Sequence, residues 1–167
     1  MTISNEDLNT ITQQLGREPE GVQEIPIRGK DGRPVVIRVR SMVRGKPFPN
    51  LFWLTDPILK KEIDKVEATG LIKNLENEIL KADEEFKSRL IQDHKNYIEL
   101  RLKYMQEEED LKDLRPEYLE ALKTKGIGGL SDYSRVRCLH MHFAHYLVSG
   151  NSVGEWLENR FSLKEYL

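Results

Sequence analysis

The first apolar residues of the chain recur at the spacing of a helix. Leu8, Ile11 and Leu15 lie three or four positions apart, so their side chains fall on one helix face. Ser4 precedes them and is a residue type that commonly caps a helix N-terminus. The pattern therefore predicts a helix over residues 5–15.

The next segment, residues 22–54, changes to the alternating pattern of β-strands. Apolar residues, many of them β-branched, form two runs that are separated by the turn dipeptide Asp31-Gly32. A third short run, at residues 51–54, follows a stretch that contains two prolines. We therefore predict an antiparallel hairpin that is joined by a third strand.

Residues 56–167 have the periodicity of helices. Asp56 followed by Pro57 is a typical helix start, because an aspartate caps free N–H groups and proline fits the first turn. We predict a bundle of four to five helices. One of these is long, over residues 83–112, and another runs from residue 131 or 132 to residue 148.

The order of these elements predicts the fold class. An N-terminal helix, a small antiparallel sheet and then a helical bundle describe an α+β fold that is predominantly helical. A length of 167 residues suits one domain, so we expect a single domain over residues 1–167. The long helix would span about 45 Å, so it must bend or protrude, and protruding helices often pair with a second copy.

Composition narrows the class of protein. The net charge is −2 and 32% of the residues are charged, which indicates a soluble globular protein whose overall field selects no partner. Nothing approaches the run of about 20 apolar residues that a membrane span needs. The single cysteine, Cys138, excludes an intramolecular disulfide. With no signal-peptide pattern at the N-terminus, this favours a cytoplasmic location.

The densest group of chemically active side chains lies towards the C-terminus. Cys138, His140, His142 and His145 occur within eight residues. If one helix contains all four, then Cys138, His142 and His145 share a face and His140 lies beside the apolar stripe. Thiolate and imidazole suit zinc or iron, so this face is a candidate site for a divalent transition metal. A nucleophilic cysteine and a solvated helix face are the alternatives.

Two polar residues fall inside the apolar stripe of the predicted long helix. His94 and Arg101 share that stripe with tyrosines and aliphatic residues. A guanidinium on a core-facing stripe is costly unless it is paired or hydrogen-bonded. Either Arg101 extends its charged end to solvent and His94 is hydrogen-bonded in the core, or this face lines a polar pocket opposite the Cys/His segment.

Residues 28–46 are strongly basic. Seven arginines and lysines stand against one aspartate, so the stretch carries a charge of +6 and the rest of the chain −8. The solvated face of a sheet accounts for such a stretch, although it could also meet a protein partner or a polyanion. No aromatic residues are interleaved with the cations to stack on bases, which argues against a nucleic-acid partner.

Several segments are distinctive when they are taken together. They are Gln14-Leu15-Gly16-Arg17, the run from Pro47-Phe48-Pro49 to Asp56-Pro57, the pair His94 and Tyr97, and the run from Gly129-Leu130-Ser131-Asp132 to Cys138-Leu139-His140. Over nearly the whole chain they resemble a bacterial family known as the domain of unknown function 501 family. The resemblance implies no activity. Genes of this family often lie near those of a septum-formation initiator and an exopolyphosphatase, which hints at cell-envelope or phosphate physiology.

The resemblance also implies which residues belong to the family pattern. The matching positions are His94, Arg135, Cys138, His140 and His145. His142 is particular to this chain, and Asp31 and Asp56 stand where many relatives carry cysteines. If relatives hold a soft metal with those cysteines, this chain has lost ligands or exchanged them for carboxylates.

Two functional hypotheses follow. In the first, a His/Cys-lined pocket binds a divalent transition metal or a small anionic ligand. Its candidate ligands are Asp56, His94, Cys138, His140 and His145, and its candidate anion-binding residues are Arg101 and Arg135. In the second, a non-catalytic adaptor forms a homodimer through its long helix and docks a partner or polyanion through its basic hairpin. The first hypothesis requires His94 to lie within reach of Cys138 or His145, and neither hypothesis specifies a reaction.

Overall fold

The computed structural model describes residues 3–112 and 114–167, apart from the side chain of residue 78. The strands are β1 (Val22–Arg28), β2 (Pro34–Val39), β3 (Met42–Val43), β4 (Lys46–Pro47) and β5 (Phe52–Leu54). The helices are α1 (Asn5–Leu15), α2 (Pro57–Ala68), α3 (Leu71–Asn74), α4 (Leu80–Ala82), α5 (Glu84–Glu107), α6 (Pro116–Thr124), α7 (Leu139–Ser149) and α8 (Ser152–Phe161). A π-helical stretch, Leu75–Ile79, joins α3 to α4, and short 3-10 turns occupy Ile127–Gly129 and Leu163–Tyr166. The helix-dominated α+β class is confirmed.

Strands β1, β2 and β5 form the predicted antiparallel sheet, with β2 in the centre. All six residues of β2 are buried, because both of its faces are covered. On one face, Ile11 of α1 packs with Ile37 and Val39. On the other face, Val36 belongs to the main core together with the helical part of the chain. The sheet therefore lies between α1 and the helices that follow it.

A second, two-stranded hairpin of β3 and β4 was not expected from the sequence. Its two turn residues, Arg44 and Gly45, have φ angles of 50° and 70°. Positive φ at both central residues suits the turn type that joins two-residue hairpins. Arginine is uncommon in this conformation, so the residue preferences of the turn did not reveal it.

The long helix α5 ends five residues before its predicted end. Glu109 has a φ of 59°, and the N–H of Asp110 donates to the carbonyl of Met105 over 2.9 Å, which closes the helix in a left-handed cap. The carboxylates on either side of Glu109 bind the sheet, since Glu108 pairs with Arg38 and Asp110 lies 2.6 Å from Arg40. The helix therefore ends where its chain turns to meet β2.

The apolar stripe of α5 is buried within its own chain. Leu90, Tyr97, Ile98 and Met105 are all inaccessible or nearly so. The structure consequently gives no support to the idea that this helix pairs with a second copy. Across residues 3–112 and 114–167, no helix is both long enough and apolar enough to span a membrane.

Helix α7 begins later than the sequence predicts, at Leu139 instead of residue 131 or 132. In the segment before and at the start of α7, carboxylates from earlier parts of the chain accept hydrogen bonds from backbone N–H groups. Glu76 accepts from the N–H of Val136 over 2.9 Å, and Glu67 accepts from the N–H of Leu139 over 3.1 Å. These contacts hold residues 135–138 in a non-helical conformation, so only the C-terminal part of the predicted helix forms.

The basic hairpin region is largely neutralised within the fold. All five arginines of residues 28–46 contact carboxylates. The pairs are Arg28 with Asp7, Arg33 with Asp31 and Asp56, Arg38 with Glu24 and Glu108, Arg40 with Asp110, and Arg44 with Glu20. Most of these partners lie outside the basic stretch, in the acidic remainder of the chain. The positive surface that docking on a polyanion would require is therefore mostly absent from the described residues.

Arg101 is fully buried on α5, where it joins three segments. Its guanidinium donates to the carbonyl oxygens of Leu122 and Lys125, each over 2.7 Å, and to that of Pro49. It also lies 5.1 Å from the centre of the Tyr97 ring. Of the two alternatives that the sequence left open, Arg101 follows neither, since it does not reach solvent and its two terminal nitrogens donate to backbone carbonyls.

We predict that Arg101→Lys lowers the free energy of unfolding by about 2–4 kcal/mol, because an ammonium cannot span three carbonyl groups and stays buried. Urea unfolding at pH 7 measures this. Arg89→Lys is the matched control, since Arg89 lies on the same helix, is exposed and pairs with Glu155. It should cost less than about 0.5 kcal/mol. Equal losses in the two variants would show that the carbonyl contacts of Arg101 contribute little.

Candidate metal centre

His140 lies in the first turn of α7 and faces α2 across a short gap. Its Nδ1 atom is 3.1 Å from Oε2 of Glu67 and 3.8 Å from Sγ of Cys138. Among the described residues, Glu67, Cys138 and His140 form the group of potential metal ligands whose donor atoms all lie within 4.8 Å of one another. In a tetrahedral zinc site with bonds of about 2.0–2.3 Å, the ligand atoms are about 3.3–3.6 Å apart. These three atoms are therefore close to the spacing that an ion requires.

The other ring nitrogen of His140, Nε2, points at acceptors. Oδ1 of Asp64 lies 3.0 Å away and the carbonyl oxygen of Lys60 lies 3.3 Å away. Both neighbours can only accept, so Nε2 carries a hydrogen and donates it. In the neutral ring, Nδ1 then has a free lone pair directed at Cys138 and Glu67. Histidines that bind metals usually have this arrangement, in which the second nitrogen donates to a carboxylate or carbonyl.

The electrostatic surroundings of His140 favour its protonated form. Partial burial opposes protonation, but the interaction with Cys138 and the negative charges of Glu67 and Asp64 outweigh it, so the pKa of His140 is raised. A proton on Nδ1 donates to Glu67. The same cluster that stabilises this proton would stabilise a divalent cation in its place.

A groove of about 310 Å³ adjoins His140. Its lining residues are Leu15, Trp53, Leu54, Lys60, Asp64, Cys138, His140 and Met141. The volume is at the lower end of the range for small-molecule sites, and the lining combines apolar side chains with a few polar groups. The Cys/His pair is thus accessible from a partly apolar groove.

His94 is not part of this centre. It is fully buried, accepts a hydrogen bond at Nδ1 from the N–H of Ile127 over 3.0 Å, and has Nε2 at 3.3 Å from the carbonyl of Arg135. Gly126 makes this contact possible, because a Cβ there would lie 2.3 Å from Nδ1. Burial lowers the pKa of His94 to about 4. Its two nitrogens are occupied in holding the chain between α6 and α7.

His142 and His145 are also buried, which reverses the expected orientation of α7. His145 accepts from the side-chain amide of Asn151 over 3.1 Å and stacks on Phe52. The ring of His142 meets His94 edge-on at 5.7 Å, and neither of its nitrogens has a partner in the described structure. The prediction that Cys138 shares a face with these two histidines was wrong, because Cys138 precedes the helix and is not on it.

The remaining candidates are occupied elsewhere. The Asp56 carboxylate is fully buried, binds Arg33 and caps α2 by accepting from the N–H of Leu59 over 2.8 Å. Arg101 is buried among carbonyls, and exposed Arg135 pairs with Glu76 at 3.3 Å. The set of Asp56, His94, Cys138, His140 and His145 is therefore not assembled. Cys138 and His140 are brought together, and neither proposed anion-binding arginine lies in this cluster.

A family model described as a protein of unknown function (DUF501) matches residues 25–159. The chain belongs to this family. The resemblance noted in the sequence is thereby confirmed, and the matched range includes all the residues of the candidate centre. No curated protein and no solved structure matches the chain.

In this member of the DUF501 family, two acidic residues of the centre were missed by sequence reasoning. Asp64 and Glu67 are three positions apart on α2, and so lie on the same side of that helix. An acidic pair at this spacing is common on exposed helices and carries little information alone. Its meaning depends on Cys138 and His140, which are about 70 positions away in sequence and meet it only in the folded chain.

The buried histidines predict acid sensitivity of this DUF501 protein. Burial lowers the pKa of His145 to about 4 as well, and that of His142 well below 6.5, where the nearby His94 adds to the effect. As the pH falls from about 6.5 to 4, the unfolded chain binds protons that the folded chain does not. Each such histidine then costs about 1.4 kcal/mol of stability per pH unit. His140, with its raised pKa, acts in the opposite direction.

We predict that His142→Leu keeps or slightly raises stability at pH 7, because it removes two buried nitrogens without partners. Between pH 7 and pH 5 the variant should lose about 2 kcal/mol less than the parent. Urea unfolding at the two pH values measures both quantities. The matched control, His140→Gln, should increase the loss on acidification. An unchanged pH dependence in His142→Leu would mean that this ring is protonated as readily in the folded chain as in the unfolded chain.

Proposed function

We propose that this protein binds a divalent transition metal ion through Glu67, Cys138 and His140. The observation that carries the proposal is that the two ring nitrogens of His140 have different kinds of neighbours. Its Nε2 is held by Asp64 and the carbonyl of Lys60, while its Nδ1 faces a carboxylate and a thiol. Ion pairs with Glu67 and Asp64 alone would not require Cys138 beside Nδ1, whereas a zinc or iron ion commonly takes a thiolate as a ligand together with imidazole and carboxylate.

The ligand set indicates the class of metal. A thiolate and an imidazole favour zinc, iron or cobalt over magnesium and calcium, which prefer oxygen ligands. One carboxylate completes three protein ligands. Sites with three protein ligands leave a fourth position for water or a small molecule, in contrast with the closed four-ligand sites that only stabilise a fold.

The groove beside His140 supports a role in which that fourth position is used. Both Cys138 and His140 line it, together with Trp53 and Met141, and Lys60 adds a cation. A small molecule that enters the groove would meet the ion at one end and apolar side chains along its length. We therefore propose a metal-dependent binding site for a small molecule.

Proton competition sets the pH dependence of this function. A metal ion must displace a proton from His140, whose pKa is raised by Cys138, Glu67 and Asp64 despite partial burial. Metal affinity should therefore fall as the medium becomes acidic and rise as the ring loses its proton.

We predict that the tag-free protein, purified without chelators, binds one Co²⁺ or Zn²⁺ ion with saturation. Cobalt should produce a sulfur-to-metal charge-transfer band in the near ultraviolet, which reports directly on Cys138. Cys138→Ser should abolish this band. His140→Ala should weaken affinity at least about 100-fold, because it removes both a ligand and the residue that the other ligands surround.

Asp64→Asn tests whether a residue outside the ligand set supports metal binding. Asp64 is 67% exposed and would orient His140 without touching the ion. It should weaken binding about 10–100-fold while the charge-transfer band persists. Glu62→Gln removes a carboxylate from the same helix outside the cluster and should leave affinity unchanged. Absence of saturable binding in the parent, or equal affinity in the parent and in His140→Ala, would refute the proposal.

A further inference from the structure

A second pocket, of about 400 Å³, lies on the sheet side of the molecule. Its lining residues are Arg17, Glu20, Val43, Arg44, Lys46, Pro47, Phe48 and Trp53. The volume is within the usual range for small-molecule sites. The lining is unlike that of the groove beside His140, because it combines three cations with two aromatic rings.

The charge of this pocket follows from the pairing of the surrounding arginines. The five arginines of residues 28–46 are bound by carboxylates, so most of the basic hairpin is neutral. Glu20 in the pocket is held by Arg44. Within residues 3–112 and 114–167, Arg17 and Lys46 form no salt bridge. Two cations without a carboxylate partner in the described part of the chain, Arg17 and Lys46, therefore line the pocket, and they give it a positive charge.

The aromatic surface lies next to this charge. Phe48 and Trp53 are in contact, with ring centres 5.3 Å apart and planes inclined by 57°. The guanidinium of Arg17 is 5.0 Å from the centre of the Trp53 ring. Contact with the ring restricts the Arg17 side chain and keeps its donors beside the pocket.

We propose that this pocket binds a small molecule with a planar aromatic ring that carries an anionic group, a carboxylate or a phosphate. The anionic group would accept hydrogen bonds from Arg17 and Lys46, and charge-assisted bonds of this kind are the stronger ones. The ring would pack on Phe48 and the exposed part of Trp53. This site goes beyond the proposed metal centre and does not depend on it, since no metal ligand lines the pocket.

Two tryptophans are present, so Trp156→Phe leaves Trp53 as the single reporter of binding. In this background, phenyl phosphate and benzoate are titrated while Trp53 fluorescence is followed, and the indole N–H signal of Trp53 in NMR spectra gives a second readout. Phenol and inorganic phosphate supply the ring and the anion separately. We expect saturation with at least one of the two anionic aromatic probes, and at least about tenfold weaker binding of phenol and of inorganic phosphate.

Arg17→Gln combined with Lys46→Gln should weaken binding of that probe at least about tenfold. The matched control is Arg160→Gln combined with Lys30→Gln, which removes the same charge elsewhere and should leave affinity unchanged. Phe48→Leu should weaken the binding of the aromatic probe about threefold or more. Circular dichroism checks that each variant is folded, and the exposed positions of Arg17 and Lys46 make loss of fold unexpected.

Several results would overturn the proposal. Saturation by neither phenyl phosphate nor benzoate would show that the pocket does not bind this class. Inorganic phosphate binding as tightly as phenyl phosphate would show that the rings contribute nothing. Equal affinity in the Arg17/Lys46 variant and its control would show that the cations do not contact the ligand. The stronger of the two probes identifies the anionic group as phosphate or carboxylate.

Discussion

The buried guanidinium of Arg101 is the constraint on which the arrangement of the helical part depends. No carboxylate of the described residues pairs with it, so its charge is balanced by the carbonyl dipoles of Pro49, Leu122 and Lys125 and by the neighbouring Tyr97 ring. These carbonyls belong to the loop before β5, to α6 and to the turn that follows it. A cation in this position cannot exchange its partners for water, and each carbonyl must therefore stay in place for the charge to remain satisfied.

The position of α5 then determines the path of the chain into α7. One turn before Tyr97, His94 holds the N–H of Ile127 and approaches the carbonyl of Arg135, which directs the segment that leads to Cys138. Asp93 accepts from the N–H of Ser152 over 2.8 Å and so anchors α8 as well. With both ends of α7 located in this way, the first turn of α7 reaches α2, where Glu67 and Asp64 surround His140. His94 and His145, which were predicted as ligands, thus make structural hydrogen bonds in the core, and the candidate metal centre lies at the edge of the core.

The two candidate binding sites share one residue. Trp53 lines the groove beside His140 and also the basic aromatic pocket that contains Arg17 and Phe48. The two sites differ in the sign of their charge. Asp64 and Glu67 make the surroundings of His140 negative, and Arg17 and Lys46 make the other pocket positive. Ion pairs with Glu108 and Asp110, which follow α5, neutralise Arg38 and Arg40 of the sheet region, so these two arginines add no free charge to either site.

Local patterns in the sequence determined the elements whose causes are local. Ser4 and Asp56 cap their helices as predicted, the Asp31-Gly32 turn joins β1 to β2, and Cys138 and His140 adjoin because they are two residues apart. The tertiary structure decided the rest. Helix α7 starts at Leu139, where Glu76 and Glu67, from distant segments, accept from the N–H groups of Val136 and Leu139. Helix α7 packs against β5, α8 and α2, so its neighbours in the fold decide that His142 and His145 are buried and that His140 faces α2. The carboxylates of Glu67 and Glu76 reach these backbone N–H groups only in the folded chain. The spacing of apolar residues in the sequence therefore cannot predict where α7 begins.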